Sequence, residues 1–141
     1  MPSANVFLDA NILIYACSRA AGDAEKHKRA EELVLTTAFG LSTQVIQEFI
    51  ANALRKKALG ITEAGIDATL ELASRVPVLP VSLELIIQAV TLRRRFQISQ
   101  WDSTIIAAAQ ALGCTTLYSE DLTHGQTFGS VQVINPFSIS P

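Results

Sequence analysis

Val6-Phe7-Leu8-Asp9-Ala10-Asn11-Ile12-Leu13-Ile14 is the stretch that sets the fold class. Val6 to Leu8 is an apolar run without polar alternation, the pattern of a strand buried on both faces of a parallel sheet. Asp9 ends it. Asn11, a residue type favoured as a helix N-cap, then precedes a second apolar run from Ile12 to Ala16. The expectation is a strand, a carboxylate at its carboxyl end, and a helix. In open α/β sheets that edge is where ligands bind. A local capping role for Asp9 accounts for a single carboxylate equally well.

Outward from this stretch, the spacing predicts alternating helices and short strands. Ala24 to Thr37 reads as an amphipathic helix, which Gly40 separates from a short strand at Leu41-Ser42. Ser42 or Thr43 caps a helix running to about Leu59. On it Gln44, Glu48, Asn52 and Arg55 form one polar stripe beside the apolar face of Val45, Ile46, Phe49, Ile50 and Ala53. Thr62 caps a helix to about Arg75 with Ile66, Leu70 and Ala73 inward. Pro77 and Pro80 confine the segment from Val76 to Val81 to an edge strand or an extended connection. Ser82 caps a helix from Leu83 to Phe96. Ser99 then precedes the nearly all-apolar helix from Ser103 to Leu112, which must be buried almost all round. Thr115 to Tyr118 and Val131 to Ile134 are the remaining strands, with a polar loop from Thr123 to Gly129 between them. The reading is an α/β fold whose first strand suits a parallel sheet. No linker or repeat divides residues 1–141, so one domain is expected.

The 141 residues can bury a real core, and a mean hydropathy of +0.31 argues against disorder. The formal charge of -2 argues against coating nucleic acid by bulk positive charge. Nine of the eleven basic residues nevertheless fall in three clusters, at Lys26 to Arg29, Arg55 to Lys57 and Arg93 to Arg95. Solvated helix faces and a helix C-terminus explain each cluster singly. Together Arg55, Arg93, Arg94 and Arg95 leave room for a phosphate-binding surface. Cys17 and Cys114 lack metal-ligand spacing and read as buried free thiols, which fits a reducing, cytoplasmic setting. No apolar run reaches the roughly 18 residues of a membrane span, and no signal peptide is expected at the N-terminus.

Each acid has a local explanation, but the acids are placed alike. Asp9 and Asp121 follow predicted strands, Asp102 opens the helix leading to the second of them, and Glu48 lies just inside the helix after another. In a parallel sheet these four converge on one edge. Four carboxylates cannot share a cleft at neutral pH without protonating or binding a cation. All-oxygen ligands point to Mg²⁺ or Mn²⁺ rather than zinc. Such a centre suits phosphodiester hydrolysis. A serine-hydrolase motif, a P-loop and a dinucleotide fingerprint are all missing.

Five segments in order resemble the PIN-domain family, above all the VapC-type toxins of toxin–antitoxin pairs. They are Phe7 to Leu13, Ser42 to Phe49, Trp101-Asp102-Ser103, Leu117 to Leu122, and Asn135-Pro136-Phe137. The resemblance implies an α/β fold, a three-layer α/β/α sandwich with a mainly parallel central sheet, and a metal-dependent ribonuclease with Asp9, Glu48, Asp102 and Asp121 as catalytic metal ligands. Asn11 and Ser119 match its supporting polar positions. It also implies an RNA substrate, a homodimer and an antitoxin partner. Glu120 departs from the pattern as a fifth carboxylate, either a ligand or solvent-facing. Two alternatives stand beside this reading. One is a non-catalytic binding module for RNA or protein. The other is a haloacid-dehalogenase-type phosphatase, which requires a second Asp where this chain has Asn11.

Overall fold

The computed structural model describes residues 3–138. Its strands are β1 (Val6–Leu8), β2 (Phe39–Ser42), β3 (Val78–Leu79), β4 (Thr116–Tyr118), β5 (Thr127–Phe128) and β6 (Val131–Ile134). Its helices are α1 (Ala10–Cys17), α2 (Ala24–Thr36), α3 (Thr43–Arg55), α4 (Glu63–Ala73), α5 (Leu83–Phe96) and α6 (Gln100–Ala111). The sheet order is β3-β2-β1-β4-β6-β5, parallel throughout except for the β5–β6 pair.

This order fixes the layers. The chain steps from β1 to β2 to β3 in one direction, so right-handed crossovers put α1 to α4 on one face. It then returns across the sheet to β4, which puts α5 and α6 on the other. The contacts agree: α1 packs on α2 and α3, α3 packs on α4, and α6 packs on α5, β2, β4 and β6. The α/β/α sandwich with a mainly parallel sheet is therefore as expected. Direction reverses between β1 and β4, and the crevice at their carboxyl ends is the topological switch point.

The core runs along both faces of the sheet. Phe7, Leu8, Leu41, Leu117 and Val133 are buried strand residues, and Ile12, Val45 and Phe49 cover one face. On the other face every residue of α6 from Ser103 to Ala109 is buried, the all-round burial that its composition predicts.

Several local expectations change. Asp9, not Asn11, is the N-cap of α1, and the helix begins at Ala10. Its carboxylate reaches the first free N–H, which leaves the Asn11 amide available for contacts across the sheet edge. Gly40 does not separate a helix from a strand but lies inside β2. A Cβ there would stand 2.8 Å from Leu112 Cδ1 and 3.1 Å from Ala4 Cβ, so close packing requires the glycine. Thr69, not Leu70, is turned inward on α4; Leu70 is 41 % exposed. The Thr69 hydroxyl donates to the Gly65 carbonyl at 2.9 Å, which makes its burial tolerable. α3 stops at Arg55, and a 3-10 turn over Lys57–Leu59 completes the segment before Gly60, at φ 65°, reverses the chain. The loop from Thr123 to Gly129 contains β5, too short for a periodicity to mark it. Cys114 is buried as expected, while Cys17 is only partly so; both are free.

Candidate active site

The hydrogen-bond ladders of the sheet continue past the strand ends and set the first two site residues. Asp9 N–H donates to the Tyr118 carbonyl at 3.0 Å, and Ser119 N–H to the Ile134 carbonyl at 3.1 Å. Asp9 and Ser119 are thus held side by side across the switch point. The Asp9 carboxylate is 4 % exposed. It accepts from Ala10 N–H at 2.7 Å and from the Ser119 hydroxyl at 2.7 Å. The Ser119 oxygen in turn accepts from Asp121 N–H at 3.2 Å.

Asn11 secures the same corner from α1. Its amide donates to Asp121 Oδ2 at 3.1 Å, and its carbonyl oxygen accepts from Glu120 N–H at 3.3 Å. The turn after β4 is tied to the first turn of α1 by a neutral side chain that both donates and accepts. An Asp at this position would only accept, so it would set two carboxylates against each other.

Glu48 reaches the site from α3. The Gln44 amide, one turn earlier, donates to Glu48 Oε1 at 3.0 Å and to the Trp101 carbonyl at 3.1 Å. Asn52, one turn later, donates to the Glu48 carbonyl at 2.8 Å. The polar stripe visible in the sequence is therefore a positioning device for Glu48. Asp9, Asn11, Glu48 and Asp121 line one cavity of about 370 Å³, with Tyr15, Asn52 and Lys56 also on its wall.

Electrostatics ties the acids together. Burial, the largest influence, pushes the Asp9 carboxyl from 3.8 up to about 6. The Ser119 and Ala10 hydrogen bonds oppose that rise, and the charges of Asp121 and Glu48 add to it. Asp102 does not line this cavity. Its carboxyl is raised too, first by burial and further by the charge of Asp121, while the Ser99 hydroxyl opposes the rise. Asp102 stands in the first turn of α6, next to Trp101, whose carbonyl accepts from the same Gln44 amide that holds Glu48.

Glu120 lines the same cavity but is held by partners of its own. It forms an ion pair with Lys26 and accepts from the Tyr15 hydroxyl at 2.7 Å. Lys26 also lies over the Tyr15 ring, 4.9 Å from its centroid. The fifth carboxylate has its own cation.

The basic residues expected to meet RNA are placed less uniformly. Arg55 is exposed and donates to Asn52 Oδ1 at 2.7 Å. Arg94 and Arg95 are exposed at the end of α5, Arg93 is half-buried, and Arg95 lies over the Phe96 ring at 5.2 Å. None of the four lines the acidic cavity; Lys56 does. Helical phase is the signal that separates Lys56 from Arg55, but α3 ends between them, and phase is lost at that boundary. Tyr15 also escaped sequence reading. Its position one turn after Asn11 on α1 was the available cue.

The donor set fits a hard divalent cation. It is all oxygen, gathered on one sheet edge, with the most buried member penalised for its charge. Among the described residues no group of three or more His, Cys, Asp or Glu side chains is close enough together to hold a metal ion. The acids ring a cleft instead, which suits an ion held by one or two carboxylates and otherwise by water.

A model of the PIN domain matches residues 6–126. The chain belongs to the PIN domain family. The phosphatase alternative fails with that membership. No curated protein matches this PIN domain. Among solved structures it is similar to the Mycobacterium tuberculosis toxin VapC20, described as cleaving the sarcin–ricin loop. The two are 24 % identical with a TM-score of 0.66, over 82 % of this chain and 89 % of that one. A toxin–antitoxin complex from Klebsiella pneumoniae matches at 18 % identity and a TM-score of 0.68, over 95 % and 99 % of the two chains. VapBC2 from Rickettsia felis, bound to a promoter DNA fragment, matches at 19 % and 0.62, over 91 % and 96 %. At these identities the likeness is one of fold.

Proposed function

We propose that this PIN domain is an endoribonuclease dependent on Mg²⁺ or Mn²⁺, and the toxin of a toxin–antitoxin pair. The observation that carries the reading is the cleft itself. Asp9, Glu48 and Asp121 share one cavity at the switch point, and Asp102 follows Trp101, whose carbonyl is tied through Gln44 to Glu48. A divalent cation bound there would lower the pKa of a water and clamp the scissile phosphate.

The chain's own residues divide the remaining work. Asp9 and Asp102 are the direct ligands, with Asp121 and Glu48 completing the shell or orienting the attacking water. Ser119 and Asn11 hold Asp9 and Asp121 in place through the hydrogen bonds described above. Gln44 fixes the rotamer of Glu48. Lys56 at the cavity wall takes a backbone phosphate, and Arg55, Arg93, Arg94 and Arg95 extend that contact without reading sequence.

The partner reading has a surface to match. Leu35 on α2 is 76 % exposed and borders a groove of about 190 Å³ between α1, α2 and α4. An apolar segment of an antitoxin is the proposed occupant, and a homodimer working in the cytoplasm is the proposed state. No helix among the described residues is long and apolar enough to cross a membrane.

The test is incubation of purified protein with structured and single-stranded RNAs, with Mg²⁺, with Mn²⁺ and with EDTA. Cleavage that requires the cation and disappears in Asp9→Asn is the expected result. Binding without cleavage under every condition would favour the binding module instead.

A further inference from the structure

A second cavity, of about 510 Å³, adjoins the acidic one, and Glu48 lines both. Glu48 is the residue the two cavities share. The second has a different character. Its walls combine Val81 and Ile86 with the amides of Gln44 and Gln100, and Trp101 stands at its side, 70 % exposed.

Two buried amide atoms on this wall have no hydrogen-bond partner among the described residues, Gln44 Oε1 and Gln100 Nε2. The orientation of Gln44 is set by its other end, since its nitrogen donates to both Glu48 and the Trp101 carbonyl. Its oxygen is left as a free acceptor. Gln100 supplies a free donor. An unsatisfied buried polar group is costly, and each such group calls for a reason. An exposed tryptophan face beside them calls for another.

We propose that this cavity binds one unpaired nucleobase of the RNA next to the scissile phosphate. The proposal rests on the nuclease reading of the adjoining acids. Every base carries a donor and an acceptor side by side on its Watson–Crick edge, and only an unpaired base can offer that edge. One unpartnered amide acceptor and one unpartnered amide donor match it once the two side chains turn their enclosed ends into the cavity. The Trp101 ring supplies the stacking platform on which single-stranded bases are held. Val81 and Ile86 bound the pocket on its apolar side. Stacking on Trp101 and edge recognition by the two glutamines would place the neighbouring phosphate over Glu48.

Trp101 is the sole tryptophan of the chain, so it reports its own occupancy. Wild-type protein in EDTA is titrated with short single-stranded RNA oligonucleotides of one base each and with the corresponding duplexes. Saturable quenching of Trp101 emission by at least one single strand, and none by duplex, is expected. In anisotropy with labelled RNA, Trp101→Ala should weaken binding about tenfold, and Trp101→Phe should restore most of it. Gln100→Met should weaken binding of every single strand that quenches Trp101. With metal present, Trp101→Ala should raise KM with little change in kcat.

Absence of quenching in a protein that cleaves RNA would overturn the subsite and leave the nuclease reading intact. Quenching without cleavage would keep the subsite and remove the nuclease. Equal quenching by duplex, or unchanged affinity in Trp101→Ala, would overturn the proposal and assign this face to a protein partner.

Discussion

The Ser119 hydroxyl donates to Asp9 Oδ2 at 2.7 Å, and still the Asp9 carboxyl sits at about 6. Two hydrogen bonds do not compensate for the loss of water around a nearly enclosed charge with Asp121 and Glu48 facing it. The site carries an electrostatic debt that a cation would cancel.

Removing the Asp9 charge should therefore act in opposite directions on stability and activity. The acid titrates at 3.8 before burial and at about 6 in the folded chain. Below about pH 4 Asp9 is neutral in both states and costs nothing. Between about pH 4 and 6 the folded chain holds the extra proton, so stability falls as pH rises. Near neutrality the loss amounts to about 3 kcal/mol at most. Metal-free Asp9→Asn should melt above wild type at pH 7.5 and level with it near pH 4. Thermal melts at the two pH values check this. RNA cleavage by the same variant should fall at least about a hundredfold, as expected for loss of a metal ligand or its supports.

Saturating Mg²⁺ or Mn²⁺ should close most of that gap. An ion that binds only the folded state stabilises it in proportion to the logarithm of its concentration, about 2.7 kcal/mol at a hundred times Kd. Wild-type Tm should rise with metal and return with EDTA, while Asp9→Asn should hardly respond. A metal-induced rise of equal size in both proteins would remove Asp9 from the ligand set.

Asn11→Asp should damage the site although it is nearly isosteric. It exchanges the amide that donates to Asp121 Oδ2 at 3.1 Å for a second carboxylate. Repulsion at that distance loosens the turn over Ser119 to Asp121. The expected outcome is weaker metal binding by calorimetry and a stability loss of about 1–2 kcal/mol near neutral pH, recovered partly in acid.

Glu120→Gln should be mild by comparison. Lys26 and Tyr15 already occupy the Glu120 carboxylate, and the pair is partly exposed. The stability cost should stay within about 1 kcal/mol, with metal affinity unchanged. A large drop in metal affinity would make Glu120 a ligand after all.

Gly40→Ala tests the packing of the sheet rather than its chemistry. Leu112 can give way at the end of its side chain, but Ala4 Cβ at 3.1 Å has no such freedom. Overpacking of this kind costs about 1–3 kcal/mol. Chemical denaturation should show a lower midpoint with an unchanged slope.

The strand and helix order was legible because strands buried on both faces and helices with clear caps leave strong local signals. Ser82 and Ser99 do cap α5 and α6. The convergence of Asp9, Glu48 and Asp121 on one cavity was legible because a parallel sheet places its strands' carboxyl ends on one edge, whereas Asp102 does not line that cavity. What was not legible is contact across long separations. Nothing local shows that Asn11 meets Asp121, or that Glu120 finds Lys26. The choice between Asp9 and Asn11 as cap was likewise settled by β4, whose carbonyl at Tyr118 fixes the Asp9 backbone in an extended, cap-ready conformation. β5 escaped because two residues carry no period, and its existence depends on β6 alone.

The two rims of the sheet have a practical consequence. β3 is a two-residue strand set between Pro77 and Pro80, and β5 is equally brief. Neither offers enough free backbone for a strand from another molecule to zip onto. Crowding many copies together should therefore not seed cross-β accretion, and concentrated preparations should scatter light no more after days than at the start.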